Sequence, residues 1–185
     1  MNYFLDCEFS ALPWEDGSTL VSLAVVAEDG REYLAVVEGF TVASCSDFVQ
    51  EHVLPHLPPR SMWRSRSQVR TDLTDFVDGD SDPTFWAWFP DLDDLRSISE
   101  PGLAAQRLAR FRDYDWQLVV SLWEDDGHPF GFGRECQDLH SYSSSLESLP
   151  VNPSPHDPLS DARWNRDVWM SVTTRADGPE AYTRR

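Results

Sequence analysis

The stretch "YFLDCEF" (residues 3–9) decides the fold, because it places two carboxylates inside an apolar run. Its aromatic and aliphatic side chains predict a buried β-strand. Residues two apart in a strand point to the same side, so Asp6 and Glu8 emerge from one face. Like charges at close range repel each other, and burial raises the pKa of each carboxyl. The pattern therefore fits either an edge strand with a solvated face or a strand that presents both carboxylates to a divalent cation.

Composition predicts one acidic globular domain. The chain has 185 residues, of which 41% are hydrophobic, including eight Trp and ten Phe, so it can bury a sizeable core. The net charge of −17 argues against a nucleic-acid partner, because neutralising a phosphate backbone usually takes a basic surface. Bound divalent cations can reverse the field inside a site while the remaining surface stays acidic. The charge therefore does not exclude nucleic acid.

Cysteine usage and hydropathy indicate the cellular setting. Cys7, Cys45 and Cys136 are widely spaced and odd in number, which predicts no disulfide framework and favours a reducing compartment. Cys7 lies on the opposite strand face from the two carboxylates, where a core role is expected. The sequence shows neither a signal-peptide pattern nor an apolar run of membrane-spanning length. We expect a soluble, cytoplasmic protein with no membrane partner.

The order of predicted elements gives the fold class. Residues 20–40 read as two strands around Asp29-Gly30, which is a hairpin signal, and residues 84–89 form a further aromatic strand. Helical patterns follow at 45–57 (broken by Pro55), at 64–77, twice within 91–124, and from Pro158. The Gly-, Ser- and Pro-rich residues 127–155 are predicted to be irregular. We expect an α/β fold with a mixed sheet flanked by helices in residues 1–172, and a polar, flexible tail at 173–185.

A second group of acids follows the aromatic strand in "WFPDLDDL" (residues 88–95). Asp91, Asp93 and Asp94 stand where a strand ends and a helix begins, which is where open α/β sheets usually bind ligands. Each of them could instead cap the helix, and Asp91 after Pro90 is best placed to do so. Spacing alone does not choose between Asp93 and its neighbours as a site residue.

The stretch "SPHDPLSDAR" (residues 154–163) is more specific. Asp157 followed by Pro158 reads as a helix N-cap and first helical residue. His156 then lies just outside the helix, and Asp161 lies in its first turn. These two side chains can converge on one point, although a lone histidine is more often a surface residue than a base.

Taken together, Asp6-x-Glu8, Asp93 and His156-x4-Asp161 resemble the DEDDh group of 3′→5′ exonucleases, which have a ribonuclease H-like fold. The chain is most similar to exoribonucleases of the actinobacterial ribonuclease AS type, over about residues 1–170. Besides the opening strand, the stretches that carry the resemblance are "VVAEDGREYLAVV" (25–37), "HVLPHLPP" (52–59), "WRSRSQVRTDL" (63–73), "WAWFPDLDDL" (86–95), "LWEDDGHP" (122–129) and "HDPLSDAR" (156–163).

The resemblance implies a catalytic set of five residues. Asp6, Glu8 and Asp161 would bind two Mg²⁺ or Mn²⁺ ions roughly 3.5–4 Å apart, which clamp the attacking and leaving oxygens of a phosphodiester. Asp93 would join the metal set through a bound water. His156 would take a proton from the attacking water, since histidine can accept a proton near neutral pH. The implied reaction releases nucleoside 5′-monophosphates from single-stranded RNA, with adenosine-rich RNA as one candidate.

Substrate contacts are expected from "WRSRSQVR" (residues 63–70) and from the aromatic strand. Arg64, Arg66 and Arg70 could grip phosphates, with Arg66 and Arg70 on one helical face, or they could pair with the acidic surface. The strand position of Trp86 and Trp88 favours a core role, although Trp88 lies close enough to the expected site to stack a base.

Three functions remain open at this point. A DNA exonuclease of the same chemistry differs from an exoribonuclease only in recognition of the 2′-hydroxyl, and a catalytically idle binding module could keep the fold. The presence of all five implied catalytic residues favours an enzyme. A homodimer is expected because the resembling exoribonucleases are dimeric and because symmetric dimers are common, with residues 127–155 as a contributor near the active site.

Overall fold

A mixed sheet of five strands forms the centre of the described structure, which is a computed structural model covering residues 1–99, 105–123 and 135–174. The strands are β1 (Asn2–Phe9), β2 (Leu20–Ala27), β3 (Glu32–Val36), β4 (Thr84–Ala87) and β5 (Gln137–Asp138), in the order β3-β2-β1-β4-β5. β1 pairs antiparallel with β2 and parallel with β4. The remaining pairs are antiparallel β2–β3 and parallel β4–β5. The carboxyl ends of β1, β4 and β5 therefore lie at one edge of the sheet.

The hairpin between β2 and β3 forms at the predicted Asp29-Gly30 turn. Gly30 has a φ of +91°, which a residue without a Cβ adopts at little cost. The turn is closed by the N–H of Ala27, which donates to the carbonyl of Arg31 at 2.8 Å. This local pairing fixes the register in which β2 then lines up with β1.

Seven helices surround the sheet in the described ranges. They are α1 (Asp47–His52), α2 (Arg66–Phe76), α3 (Leu92–Ile98), α4 (Ala105–Leu108), α5 (Tyr114–Ser121), α6 (Leu139–Tyr142) and α7 (Pro158–Thr173). α2 begins with a capping box between Ser65 and Gln68. α1 ends ahead of Pro55, which lies in a short 3₁₀ turn (Leu54–His56), as expected for a residue that cannot continue an α-helix. The α/β prediction with a mixed, ribonuclease H-like sheet is confirmed.

The two faces of β1 pack against different helices. Tyr3, Leu5 and Cys7 point into one cluster with the apolar faces of α2 and α5. Phe4 points to the other side, where its ring lies 5.5 Å from that of Trp169 on α7. Because side chains alternate along a strand, Asp6 and Glu8 share the α7 side with Phe4. The carboxylates thus leave a central strand, and an edge-strand reading of them does not hold.

Some boundaries differ from those expected from the sequence. β4 ends at Ala87 and not at Phe89. The carbonyl of Phe89 faces Nδ1 of His140 at 3.2 Å, and Pro90 has no N–H to continue the ladder. The segment expected to be irregular contains β5 and α6 within its described part. Of the flexible tail expected at 173–185, Thr173 is the last residue of α7 and Thr174 is its C-cap, and residues 175–185 lie outside the described residues. Among the described helices, none has the length and apolar character needed to cross a bilayer.

Candidate active site

A cavity of about 480 Å³ opens at the carboxyl edge of the sheet. It lies between the end of β1, the start of α5 and the start of α7. Its charged and histidine lining residues are Asp6, Glu8, Asp94, Arg112, Asp115, His156 and Asp161. The cavity therefore gathers residues from four separate parts of the chain, and most of those that carry charge are acids.

The two β1 carboxylates are held in this cavity at an electrostatic cost. Oδ2 of Asp6 is buried and has no hydrogen-bond partner among the described residues. Burial raises the pKa of Asp6 well above its usual range, and the neighbouring charges of Asp115, Glu8 and Asp161 raise it further. Burial and the charges of Asp161 and Asp115 raise the pKa of Glu8 to about 9. Unpaired buried charge of this kind is costly unless a cation compensates it.

The start of α7 supplies Asp161 and His156 as predicted. The Asp157 side chain accepts from the N–H groups of Leu159 and Ser160 and so caps the helix, with Pro158 as its first residue. His156 has a φ of +66°, a left-handed conformation that histidine adopts more readily than most residues. In this conformation its N–H donates to Oδ2 of Asp161 at 2.8 Å. The backbone of His156 thus orients the carboxylate that the helix brings to the cavity.

Asn152 also holds Asp161 and was not predicted from the sequence. Its side-chain amide donates to Oδ1 of Asp161, and its own Oδ1 accepts from Oγ of Ser160 at 3.1 Å. Burial raises the pKa of Asp161, while the bonds from Asn152 and His156 oppose that rise. Both oxygens of Asp161 are therefore fixed in direction.

The donor set fits a divalent cation. Glu8, His156 and Asp161 each offer one ligand atom, and these atoms lie within 4.8 Å of one another. Carboxylate oxygens are the preferred ligands of Mg²⁺ and Mn²⁺. Oδ2 of Asp6 in the same cavity adds a further oxygen, one that accepts no hydrogen bond from the part of the chain that the structure describes. The residues expected to hold cations are thus brought together, with the exception of Asp93.

Asp93 lies outside the cavity lining, on the exposed side of α3. Its side chain is 88% exposed and forms an ion pair with Arg96 at 2.9 Å. Asp91 caps the helix, as expected, by accepting from the N–H groups of Asp93 and Asp94. Asp94 is the acid of this stretch that lines the cavity.

Asp115 is a cavity carboxylate that sequence reasoning missed. It lies in the first turn of α5, where an acid normally complements the helix dipole, so the stretch "DYD" gave no separate signal. Burial, followed by the charges of Asp161 and Asp113, raises the pKa of Asp115 to about 7. Asp115 is also the charge with the largest effect on Asp6.

Aromatic side chains border the cavity on two sides. The Trp88 ring lines it and lies 4.7 Å from His140 and 5.0 Å from Trp164. On the other side, the ring of His156 meets the ring of Phe48 edge-on at 4.9 Å. Phe48 is 52% exposed, so an aromatic surface continues outward from the candidate base.

The three candidate substrate-binding arginines lie apart from the carboxylates. Arg66 and Arg70 line a second cavity of about 510 Å³ between the β1–β2 loop and α5. Arg66 donates to the carbonyl of Ser121 at 2.7 Å. Arg64 donates to the nearby carbonyl of Met62 at 2.9 Å. The structure thus groups Arg66 with Arg70 and leaves Arg64 elsewhere.

We expect Mg²⁺ to raise the melting temperature more at about pH 8.5 than at about pH 6. The raised pKa values of Glu8 (about 9) and Asp115 (about 7) mean that the folded state holds protons that the unfolded state has lost. Stability of the cation-free protein therefore falls as pH rises through this window. A cation binds the deprotonated carboxylates and offsets that loss. Thermal unfolding at both pH values, with Na⁺ at matched ionic strength as control, measures the difference; equal gains would contradict the expectation.

Comparison with known proteins gives two full-length relatives. No protein-family model matches the chain. Two proteins from two strains of Mycobacterium tuberculosis, each named a 3′-5′ exoribonuclease, are 41% identical to it over 191 residues. Each alignment covers 100% of this chain and 100% of the relative. The similarity therefore extends over the entire length of both the chain and each relative.

Proposed function

Since the chain belongs to the family of these 3′-5′ exoribonucleases, we propose that it shortens single-stranded RNA from the 3′ end in a reaction that depends on divalent cations. The observation that carries this proposal is the buried Oδ2 of Asp6, which no described residue contacts by a hydrogen bond, in a cavity that Glu8, Asp161 and His156 also line. We further propose the DEDDh type, which the resemblance of these residues implies.

Asp6, Glu8 and Asp161 are the residues that would hold the cations, two Mg²⁺ or Mn²⁺ ions in our proposal. When bound, such ions stabilise the negative charge that develops on a phosphodiester during hydrolysis. The protein contributes the fixed positions of the carboxylates. Asn152 and the N–H of His156 orient Asp161, and the β-ladder orients Asp6 and Glu8. A site held by a central strand and a helix start needs little rearrangement to react.

His156 is the proposed general base. It lies at the cavity within reach of Glu8 and Asp161, and its imidazole can accept the proton of a water molecule that attacks the phosphorus. The edge-on contact with Phe48 restricts where the ring can lie. Products of water attack at a 3′-terminal phosphodiester would be nucleoside 5′-monophosphates.

Substrate contacts are proposed for Trp88 and for the arginines. Trp88 exposes part of its ring to the cavity, where a base can stack on it. Arg66 and Arg70 line the second cavity, and Tyr114, which borders the first, donates to Ser18 of the second at 3.1 Å. An RNA strand that runs from the carboxylates along the β1–β2 loop would bring one of its phosphates to Arg66 and Arg70. The substrate contact expected of Arg64, and the metal role that the resemblance implies for Asp93, also stay proposals.

The proposed function is tested with three substrates of equal length, each labelled at the 5′ end: poly(A), RNA of mixed sequence and single-stranded DNA. We expect a ladder of shortening RNA products with Mg²⁺ or Mn²⁺ and none in excess EDTA, with recovery when the cation is restored. Faster loss of DNA than of RNA would assign a DNA exonuclease. Binding without shortening would assign an idle module, and unchanged degradation in EDTA would contradict the metal dependence.

We also propose a homodimer. Apolar side chains are exposed near the cavity mouth, including Phe48 at 52% and Ile98 at 56%, and a symmetric contact would cover such groups. Light scattering at moderate salt, where repulsion is screened beyond roughly 8 Å, is expected to give about twice the chain mass of 21.2 kDa. A single-chain mass across micromolar concentrations would contradict the dimer.

A further inference from the structure

Arg112 is the one permanently cationic residue that lines the main cavity in the described part of the chain. Apart from His156, the other residues in this lining that can carry a charge near neutral pH are acids. The side chain of Arg112 is 34% exposed, so a bound molecule can reach it. A cation kept beside a group of acids, in a chain with a net charge of −17, favours an anionic ligand at this place.

Two acceptors hold the Arg112 side chain and leave one of its nitrogens open. Nε donates to the carbonyl of Pro90 at 3.0 Å, and Nη2 donates to Oδ2 of Asp138 at 3.2 Å. Among the described residues, none accepts a hydrogen bond from Nη1. Oδ2 of Asp138 also accepts from Oγ of Ser141 at 2.5 Å, so Arg112 shares this acceptor. The guanidinium is therefore fixed in place while it keeps donors for a ligand.

These acceptors place Arg112 beside the β1 carboxylates but not among them. Asp138 is the last residue of β5 and pairs with Ala87 of β4, and β4 lies between β5 and β1. Because neighbouring strands lie about 5 Å apart, the end of β5 is roughly 10 Å from β1, which carries Asp6 and Glu8. Arg112 is thus one to two strand spacings from these carboxylates, a separation similar to that between successive phosphates of an extended RNA strand.

Trp88, the proposed base-stacking residue, lies on the same side of the cavity. It precedes Pro90 by two residues and lines the cavity together with Arg112. Its ring is supported by the ring of His140 on α6, at 4.7 Å. One nucleotide can therefore stack its base on Trp88 and place a phosphate at Arg112, a combination typical of sites that bind single strands.

We propose that Arg112 binds the phosphate of the second linkage from the 3′ end of the RNA, directly upstream of the linkage that is cleaved. The inference rests on the proposed function, in which the terminal phosphodiester lies at the carboxylates. Cleavage at the 3′ end leaves no phosphate beyond the terminal one, so any further phosphate at this cavity comes from the upstream strand. Arginine suits this role because its planar fork donates paired hydrogen bonds to a phosphate.

The upstream strand has a path from Arg112 to the second cavity. α5 begins two residues after Arg112 and ends at Ser121, whose carbonyl accepts from Arg66 at 2.7 Å. An RNA strand that follows this helix passes from Arg112 to Arg66 and Arg70. Arg112 would then be the first of three arginines along the strand.

The inference is tested with RNA oligonucleotides of one sequence, either all-phosphate or with an uncharged methylphosphonate at the second linkage. For the unmodified chain, we expect this neutralisation to lower kcat/KM by about 10- to 100-fold, the range for loss of a hydrogen bond to a charged group. Arg112→Gln should lower kcat/KM on all-phosphate RNA by a similar factor and should show no further loss on the methylphosphonate RNA. A methylphosphonate at the sixth linkage should leave cleavage of the terminal linkage unchanged in both.

Arg110→Gln is the matched control. Arg110 is exposed, lies two residues from Arg112 and is absent from the described lining of both cavities, so this variant should keep the full response to the methylphosphonate. Arg112→Lys is a second variant, which keeps the positive charge without the fork and should respond to an intermediate degree. Each variant is compared with itself on the two oligonucleotides, so a general loss of activity cancels in the ratio.

The outcomes separate this inference from the proposed function. If folded Arg112→Gln responds to the methylphosphonate as strongly as the unmodified chain, or if the unmodified chain does not respond, the inference is overturned while the exoribonuclease proposal stands. If the unmodified chain binds RNA in Mn²⁺ without shortening it, the same comparison is made with dissociation constants. Coupling between Arg112 and the second linkage then supports the inference although the proposed function fails, and its absence overturns the inference. No RNA binding at all would overturn both.

Discussion

Replacing Asp6 with Asn is expected to lower kcat/KM for RNA by at least about 10³-fold. Asp6 lines the cavity together with Glu8 and Asp161, and its buried Oδ2 has no hydrogen-bond partner among the described residues. Loss of a cation ligand removes several kcal/mol of transition-state stabilisation, and each 1.36 kcal/mol is a factor of ten in rate. Initial rates on end-labelled RNA at saturating Mn²⁺ measure the effect.

The fold of the Asp6→Asn variant should survive. The substitution removes one of several buried, mutually repelling charges, so the melting temperature without cation is expected to stay level or rise. Asp167→Asn, the same change at an exposed position of α7, is the matched control and should leave both rate and stability unaltered. If Asp6→Asn were about as active as the unmodified chain, Asp6 would have no role in the proposed active site.

Replacing His156 with Asn is expected to lower kcat by about 10²–10⁴-fold, the usual range for loss of a general base. Asparagine is chosen because it also accepts a positive φ, which His156 has, and because it keeps the N–H that donates to Asp161. Alanine would add backbone strain to the loss of the imidazole. Single-turnover rates at saturating Mn²⁺ isolate the chemical step.

A parallel measurement of Mn²⁺ affinity distinguishes the base from a ligand. If the carboxylates hold the cation, His156→Asn should change Mn²⁺ affinity by less than about 10-fold, the lower end of the loss seen for altered metal sites. His52, the last residue of α1, has its ring 6.3 Å from that of His156. The control variant His52→Asn should retain full activity. If His156→Asn keeps most of its activity, another residue is the general base. If His156→Asn no longer binds Mn²⁺, His156 is a cation ligand.

Those parts of the fold that repeat a local pattern were predictable from the sequence. The alternation in "YFLDCEF" gave the faces of β1, and the Asp157-Pro158 pair gave the start of α7 to the residue. β5 has only two residues, too few for any periodicity. Its existence depends on the parallel pairing of Trp86 with Gln137, a contact that no local pattern reports.

The candidate site was predictable where chemistry and position coincide in the sequence. Two acids in an apolar strand face unfavourable burial and mutual repulsion, so Asp6 and Glu8 can be identified as site candidates from the sequence alone. Asp115 follows a turn at a helix start, where acids are common. Its carboxylate is desolvated and brought close to other acids only when α5 packs beside β1. Asn152 becomes meaningful only through its bond to Asp161. Asp115 and Asn152 therefore join the site through long-range packing, which no local sequence pattern predicts.

The docking of α7 on β1 and β2 has a consequence for the order in which the chain folds. The hairpin of β2 and β3 and its pairing with β1 join segments near in sequence, whereas Asn165 of α7 donates to the carbonyl of Leu5, 160 positions away, at 2.9 Å. Contacts of such separation form late because loop closure must come first. A partly folded chain with a finished sheet but a detached α7 lacks Asp161, so recovery of nuclease activity during refolding should lag behind recovery of strand structure. Brief detachment of α7 in the native state would likewise interrupt turnover without unfolding the sheet.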